Sequence, residues 1–156
     1  MEKHDEVLVA LRQIIRAIDM HSKRLIKEAG LTAPQLLLLK GINELGQISM
    51  RQLANHTNMS QATATTIMDR LESRGLVQRI RSQTDKRKVH ATVTEQGQLL
   101  LAQAPTPLQV HFIQRFQSLE VWEQTLLLSS LQRISHMMNA SGIDAAPVLS
   151  VNSLTD

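Results

Sequence analysis

The sequence predicts a mainly α-helical fold with one small β-hairpin. Apolar residues recur at spacings of three and four along most of the 156 residues, which is the period of amphipathic helices. The period changes to two only between about residues 76 and 94, as expected for a hairpin. Leucines and seven methionines greatly outnumber the three aromatic residues, and such side chains pack most easily between helices. The length fits a single domain.

The first two predicted helices are delimited by their end signals. An amphipathic helix over residues 5–29 is followed by Gly30, because glycine adopts the left-handed conformation of a helix end most easily. Thr32 then caps a second helix, with Pro34 in its first turn, and this helix ends at Gly46. Both helices are rich in leucine and isoleucine, as a buried face requires.

Two short helices joined by a turn come next. Ser49 caps the first, Asn58 makes the turn, and Ser60 caps the second, which continues to Gly75. Helical period places the inward stripe of the second helix at Ala64, Ile67, Met68 and Leu71. Its opposite face then projects outward with short polar side chains.

The predicted hairpin between residues 76 and 94 has two alternating segments around a basic tip of seven residues. Thr94 caps the next helix, and Pro105 and Pro107 break or bend it before helical periodicity resumes. A last helix is predicted over about residues 120–139.

Composition and motifs exclude several classes of protein. The chain has no cysteine, which excludes disulfide scaffolds, thiolate metal sites and thiol-based redox sensors. No apolar run approaches the roughly 18 residues needed to span a bilayer, and no signal peptide is evident, so we expect a cytoplasmic protein. The sequence lacks a glycine-rich phosphate loop, a nucleophile elbow and paired carboxylates, so neither an enzyme nor a cofactor is expected. The six histidines are too scattered to indicate a metal site.

Positive charge is concentrated in one segment. Residues 70–88 contain seven basic and two acidic side chains, an excess of five charges in a chain whose net charge is +3. Such a concentration is typical of a surface that binds a polyanion, although a solvated charged loop has the same composition. The shortage of aromatic residues disfavours single-stranded nucleic acid, whose bases stack on aromatic rings.

Two short helices joined by a tight turn and followed by a basic hairpin describe a winged helix-turn-helix DNA-binding lobe, here over residues 32–97. The outer helices, residues 5–29 and 108–140, are too long and too apolar to be covered by so small a lobe. Their surplus apolar surface predicts a dimerisation lobe formed with a second copy of the chain. We therefore expect one domain over residues 1–140 and a flexible tail over residues 141–156.

Three stretches carry a family resemblance: LTAPQLLLL at residues 31–39, RQLANHTNMSQATATTIMDRLESRGLVQR at residues 51–79, and DKRKVHATVTEQG at residues 85–97. Together they resemble the MarR family of bacterial transcriptional regulators. The resemblance implies a homodimer with intertwined terminal helices that binds pseudo-palindromic duplex DNA. It also implies repression of nearby genes, which ends when a small-molecule effector binds between the two lobes.

The N-terminal block VLVALRQIIRAIDMHSKRL, residues 7–25, is similar to family members associated with osmotic stress and compatible-solute genes. The family's ligand crevice opens near the end of this block, which makes Arg16, Met20 and His21 the candidate ligand-binding residues. A carboxylate ligand would use Arg16 or His21. The alternative is that these positions simply face solvent.

The helix from Ser60 to Arg74 is the predicted recognition helix, which the family places in the major groove. Short polar side chains at its start can reach base edges or phosphates: Ser60, Gln61, Thr63, Thr65 and Thr66. The alternative is that the serines and threonines are only caps and surface residues. Arg70 and Arg74 are expected to clamp phosphates, unless they pair with Asp69 or Glu72 along the helix.

In the wing, Arg87 is predicted to enter the minor groove, where narrow A·T-rich stretches attract guanidinium groups. By the resemblance, Asp85 orients the wing through Arg81 or Arg87, although a turn-forming role alone explains it equally well. The other candidate DNA contacts of the hairpin are Arg79, Arg81, Ser82, Lys86 and Lys88. The competing hypothesis is a winged-helix protein-interaction module without specific DNA binding, which the basic segment disfavours unless the partner is acidic.

Overall fold

The computed structural model describes residues 1–151 and contains, in chain order, the helices and the hairpin that the sequence predicts. The helices are α1 (Lys3–Ala29), α2 (Ala33–Leu45), α3 (Met50–His56), α4 (Gln61–Ser73), α5 (Glu95–Gln103), α6 (Leu108–Gln117) and α7 (Val121–Met137), and the strands are β1 (Val77–Arg81) and β2 (Val89–Val93). The two strands pair antiparallel as one hairpin. The mainly helical fold class is confirmed.

The helix boundaries follow from local side-chain caps. The Thr32 hydroxyl accepts a hydrogen bond from the Gln35 backbone amide at 3.4 Å, and the Thr32 amide donates to Gln35 Oε1 at 3.1 Å. The same reciprocal arrangement joins Ser49 and Gln52 at 3.1 and 2.9 Å. At the other end of a helix, Gly30 follows α1 with φ +64°. These bonds satisfy backbone donors that have no partner within the helix, which is why the sequence locates the ends well.

The hydrophobic core lies in the winged-helix lobe, where α2, α3 and α4 pack together over the base of the hairpin. The inward stripe of α4 is 0% exposed at all four predicted positions, Ala64, Ile67, Met68 and Leu71. Most of the other fully buried large side chains are leucines: Leu25, Leu31, Leu36, Leu38, Leu39 and Leu53. The core therefore fixes which face of α4 remains outside.

The outer helices leave apolar surface uncovered in the single chain. Helices α6 and α7 bury no residue completely, and α1 does so only in its C-terminal part. Large apolar side chains stand exposed along α1 and α7, among them Leu8, Ile14, Ile15, Trp122, Leu126, Leu128 and Leu131. Contiguous apolar surface of this kind marks a site of protein–protein contact.

The segment that follows α7 forms neither helix nor strand as far as Val151. Within it, Val148 packs against the hydrophobic core of the winged-helix lobe. The predicted flexible tail extends over residues 141–156, and its residues 152–156 lie outside those that the structure describes. Of the helices within residues 1–151, none combines the length and the apolar character needed to cross a membrane.

Helix α5 approaches the base of the hairpin so closely that one position has no room for a side chain. A Cβ placed on Gly97 would lie 2.2 Å from the Leu76 carbonyl oxygen and 2.6 Å from Val93 Cγ1. The Thr94 hydroxyl caps this helix by accepting from the Gly97 amide at 3.1 Å, and it donates to the Gly75 carbonyl at 2.6 Å. The hairpin is thus attached to the end of α4 and to the start of α5.

We expect Gly97→Ala to lower the free energy of unfolding by about 3 kcal/mol, since overpacking costs roughly 1–3 kcal/mol and the atom met here belongs to the backbone. Urea denaturation measures this change. Gly142→Ala, where an added Cβ meets no atom within 4 Å, is the matched control, and we expect it to change stability by less than about 0.5 kcal/mol. Equal stabilities of the two variants would contradict the close approach of α5 to the hairpin.

Candidate nucleic-acid interface

Helices α3 and α4 and the turn between them form the helix-turn-helix. Asn58 makes the turn with φ +54°, and the Met59 amide donates to the Ala54 carbonyl at 2.9 Å. Because the inward face of α4 is buried, Gln61, Thr66 and Arg70 are exposed on the other side, while Thr63 and Thr65 are half-buried. The structure therefore brings the predicted recognition residues together on one outward face.

The hydroxyl groups of Ser60, Thr65 and Thr66 already donate hydrogen bonds within this segment. Ser60 Oγ accepts from the Thr63 amide at 3.1 Å and donates to Thr63 Oγ1 at 2.8 Å. Thr65 and Thr66 donate to the carbonyl oxygens four residues earlier at 2.8 and 3.0 Å. With its hydrogen already donated, each of these two threonines has a methyl group and acceptor lone pairs left for an external partner. These groups suit contact with a thymine methyl or acceptance from an amino group of adenine or cytosine.

The two arginines near the end of α4 have different surroundings. The Arg74 guanidinium donates through Nη1 to the Gly30 carbonyl at 2.6 Å and so ties the end of α4 to the end of α1. Arg70 is exposed, and within residues 1–151 its guanidinium forms no ion pair. Neither arginine pairs with Asp69 or Glu72, the alternative left open by the sequence. Arg70 is thus the more accessible of the two for a phosphate.

Arg79 on β1 takes the acidic partners instead. Its Nη2 lies 2.5 Å from Asp69 Oδ1 and its Nη1 lies 3.3 Å from Glu72 Oε1. Its backbone amide also donates to Glu72 Oε2 at 3.2 Å. The three groups connect α4 to the first strand of the wing and leave little uncompensated charge on Arg79. Sequence reasoning missed this cluster, although two carboxylates three positions apart on a helix before a basic strand could have indicated it.

The cluster makes the role of Arg79 testable. We expect Arg79→Ala to change the log–log salt dependence of DNA binding by less than about half a unit, because a phosphate-binding cation contributes about one unit. Its stability cost should be about 1 kcal/mol or less, as for other exposed ion pairs. A salt titration and urea denaturation of the same variant measure both quantities. Loss of a full unit of salt slope would show that Arg79 contacts phosphate directly.

The wing tip is held by short hydrogen-bonded turns. The Ser82 hydroxyl accepts from the backbone amides of Thr84 and Asp85, both at 3.3 Å. The Asp85 carboxylate accepts from the Arg87 backbone amide at 3.0 Å, and the Lys88 amide donates to the Asp85 carbonyl at 2.9 Å. Within the described residues, Asp85 forms no ion pair with Arg81 or Arg87. Its contact with Arg87 is therefore made through the backbone, and it shapes the turn.

This turn leaves four basic side chains exposed around one carboxylate. Arg81, Lys86, Arg87 and Lys88 are all exposed, and none of them forms an ion pair within residues 1–151. Their charge is available to an external anion, unlike that of Arg79. The exposed wing tip and the outward face of α4 form what we call the basic–polar surface: Ser60, Gln61, Thr63, Thr65, Thr66, Arg70, Arg81, Lys86, Arg87 and Lys88.

The three candidate ligand residues lie on α1 but have different surroundings. The Leu108 amide donates to His21 Nε2 at 3.1 Å, so His21 links α1 to the start of α6. Arg16 and Met20 line a shallow depression of about 620 Å³ on the exposed side of α1. A separate cavity of about 240 Å³ lies between α2 and the proline-containing junction of α5 and α6, with Lys40 and Glu44 in its lining. Arg16 and Met20 thus share a depression that His21 does not line.

Known regulators are similar to this chain along most of its length. The sequence model of the MarR family matches residues 31–89. The homoprotocatechuate degradative operon repressor of Escherichia coli is 25% identical over 135 residues, 86% of either chain. The transcriptional regulator BldR of Sulfolobus solfataricus is 30% identical with a TM-score of 0.53, over 88% of this chain and 99% of BldR. Bordetella bronchiseptica BpsR, whose DNA binding is regulated by 6-hydroxynicotinic acid, is 25% identical with a TM-score of 0.51, over 83% of this chain and 98% of BpsR.

A helix-turn-helix with a polar outward face beside a basic hairpin defines a winged helix-turn-helix DNA-binding protein. The likeness to these proteins extends through the outer helices as well, because it covers more than four-fifths of the chain. The chain belongs to the MarR family. It is a transcriptional regulator and not an enzyme.

Proposed function

We propose that this regulator is a homodimeric repressor that binds a pseudo-palindromic operator in duplex DNA and releases it when a small molecule binds. The observation that carries the proposal is the basic–polar surface, which combines the outward face of α4 with four exposed basic side chains of the wing that form no ion pair within residues 1–151. A duplex presents base edges in its major groove and phosphates on either side, and this surface offers partners to both. Such a regulator acts in the cytoplasm, where the DNA is.

The individual roles follow from the surroundings of each side chain. Ser60, Gln61, Thr63, Thr65 and Thr66 face base edges and the nearest phosphates, while Arg70, Arg81, Lys86 and Lys88 neutralise phosphates. Arg87 enters the minor groove from the wing tip. Ser82 and Asp85 hold the tip in its turn, and Arg74 and Arg79 hold α4 against α1 and β1. These four residues, Ser82, Asp85, Arg74 and Arg79, thus position the side chains that contact DNA and do not themselves bind strongly to DNA.

The dimer is proposed from the apolar surface of the outer helices. Residues 5–29 and 108–140 would form the dimerisation lobe and residues 32–97 the DNA-binding lobe. The exposed apolar side chains of α1 and α7 lie within the first of these lobes. Burial of each square ångström of such surface contributes about 25 cal/mol, so a second copy that covers both helices is strongly favoured. A homodimer also matches a pseudo-palindromic site, since both have two-fold symmetry.

The effector is proposed to be a small molecule that binds between the two lobes, with a carboxylate as the first case. Arg16 and Met20 are the proposed contacts on α1, and His21 is near them and bonded to the start of α6. A ligand whose carboxylate pairs with Arg16 and whose hydrogen-bond donor replaces the Leu108 amide at His21 Nε2 would alter the junction between the lobes. BpsR supports an aromatic carboxylate as the first class to test. The likeness of residues 7–25 to regulators of osmotic stress adds compatible solutes as a second class.

The proposal is tested by fluorescence anisotropy with the DNA upstream of the gene for this protein, at physiological salt. Saturable binding that survives a scrambled duplex competitor is the expected result. Effectors are then identified as compounds that raise the Kd of this complex. Binding abolished equally by any duplex would contradict sequence specificity. Failure to bind any duplex would favour the interaction-module hypothesis, in which the wing binds an acidic protein.

A further inference from the structure

The segment after α7 returns to the helix-turn-helix and borders a cavity at the start of α4. Residues 144–147 line a cavity of about 320 Å³ together with Asn58, Met59, Ser60 and Thr63. Ser60 is the N-cap of α4, and Thr63 accepts its hydroxyl hydrogen at 2.8 Å. Both side chains belong to the proposed DNA-binding surface. The segment therefore lies against the end of the helix that DNA must approach.

Two anchors hold the segment in this place. Val148 is half-buried and packs against the hydrophobic core of the winged-helix lobe. The next residue, Leu149, donates its backbone amide to Gln109 Oε1 on α6 at 3.1 Å. On either side of these anchors, Ile143 is 69% exposed and Val151 is 51% exposed. The docked stretch is thus short and is bound at two defined points.

The position of Asp144 adds a charge effect to the steric one. Asp144 belongs to the lining of the cavity at the start of α4, and the helix dipole favours an anion at this end of a helix. A DNA phosphate at the same end of α4 would have the same sign and would require the same space. The docked segment and the DNA backbone therefore exclude each other at this point.

From this geometry we infer that residues 144–149 form an autoinhibitory segment, which covers the N-terminal end of α4 and must leave it before the operator binds. This inference rests on the proposed role of α4 in DNA recognition. It gives the chain a means of regulation within a single subunit, separate from the small-molecule effector. Any factor that holds the segment away from α4 would strengthen operator binding.

The size of the effect depends on the fraction of chains in which the segment is docked. If nine chains in ten are docked, the apparent Kd is about ten times that of the undocked chain, because only the competent fraction binds. Removing either anchor is therefore expected to lower the apparent Kd about five- to tenfold. A substitution that damages the fold would raise the apparent Kd for the operator. A lower Kd is therefore distinctive for the loss of autoinhibition.

Four variants of the full chain test the inference. Val148→Ser removes the apolar anchor, and Val151→Ser makes the same change at an exposed position just beyond the autoinhibitory segment. Gln109→Ala removes the acceptor of the Leu149 amide, and Gln103→Ala is its control on the exposed surface of α5. Operator Kd values from anisotropy should fall for Val148→Ser and Gln109→Ala only. Hydrogen exchange at the Leu149 amide should become faster when operator is added to the parent chain.

The outcomes separate this inference from the proposed function. Equal Kd values for the parent and all four variants would overturn autoinhibition while leaving operator binding established. Weaker binding by Val148→Ser and Gln109→Ala would show that the segment supports α4, and would also overturn it. If the parent and every variant fail to bind any duplex, the proposed function is wrong and autoinhibition fails with it.

Discussion

Replacement of Arg87 by alanine is expected to weaken operator binding about 10- to 100-fold while the dimer persists. Arg87 is exposed at the wing tip, and its backbone amide is fixed by the Asp85 carboxylate at 3.0 Å. Its guanidinium forms no ion pair within residues 1–151, so its charge is available to a minor groove. Because the side chain makes no contribution to the core, its loss should leave the fold and the dimer unchanged. Anisotropy and sedimentation velocity measure the two effects separately.

The control for Arg87→Ala removes the same unit of charge outside the wing. Lys3→Ala changes an exposed residue at the start of α1, outside residues 5–29 of the proposed dimerisation lobe. Its operator Kd should change less than about twofold, since exposed charges farther apart than a Debye length of about 8 Å are screened at physiological salt. Operator binding by Arg87→Ala that equals the binding of the parent would show that the wing tip does not enter a groove.

Introduction of a charge into the apolar face of α1 should have an even larger effect. Ile15 is 61% exposed in the single chain, so Ile15→Glu leaves the core of the subunit intact. In the proposed dimer this position would be covered, and an unpaired buried carboxylate there would destabilise the dimer. We expect a monomer of 17.5 kDa in sedimentation velocity. Operator affinity should fall more than about 100-fold, because two linked half-sites gain about 10²- to 10⁴-fold over one.

Gln13→Glu is the matched control for this variant. It introduces the same charge two positions away, on another side of α1, because successive helical positions differ by about 100°. Gln13 is already exposed and polar, so a dimer should form as in the parent. A dimer that survives Ile15→Glu would mean that the two copies do not cover this face of α1.

The parts of the fold set by neighbouring residues were predictable. Caps such as Ser49 with Gln52 act within one helical turn, and Asn58 suits a left-handed turn by itself. The hairpin follows from alternation along the chain, and its observed register pairs Val77 with Val93. The buried stripe of α4 follows from helical period alone. In each case the signal and the structure lie within a few residues of each other.

The parts that depend on distant residues were not predictable. The bond from Arg74 to the Gly30 carbonyl spans 44 residues, and the bond from Leu108 to His21 spans 87. The pairing of Arg79 with Asp69 and Glu72 requires β1 to run back beside α4, which no local pattern specifies. Sequence therefore identified the basic segment but could not separate the cations that position the wing from those left exposed.

The most direct test of the account is hydroxyl-radical footprinting of the parent chain on its operator. We expect two symmetric protected regions whose centres are about one helical turn apart, one for each α4 of the dimer. With Arg87→Ala, the flanking minor-groove protection should disappear. The two central protected regions should remain, but they should require a higher protein concentration than with the parent chain. A single asymmetric protected region, or protection spread evenly along the duplex, would contradict a dimer that reads two half-sites with α4 and the wing.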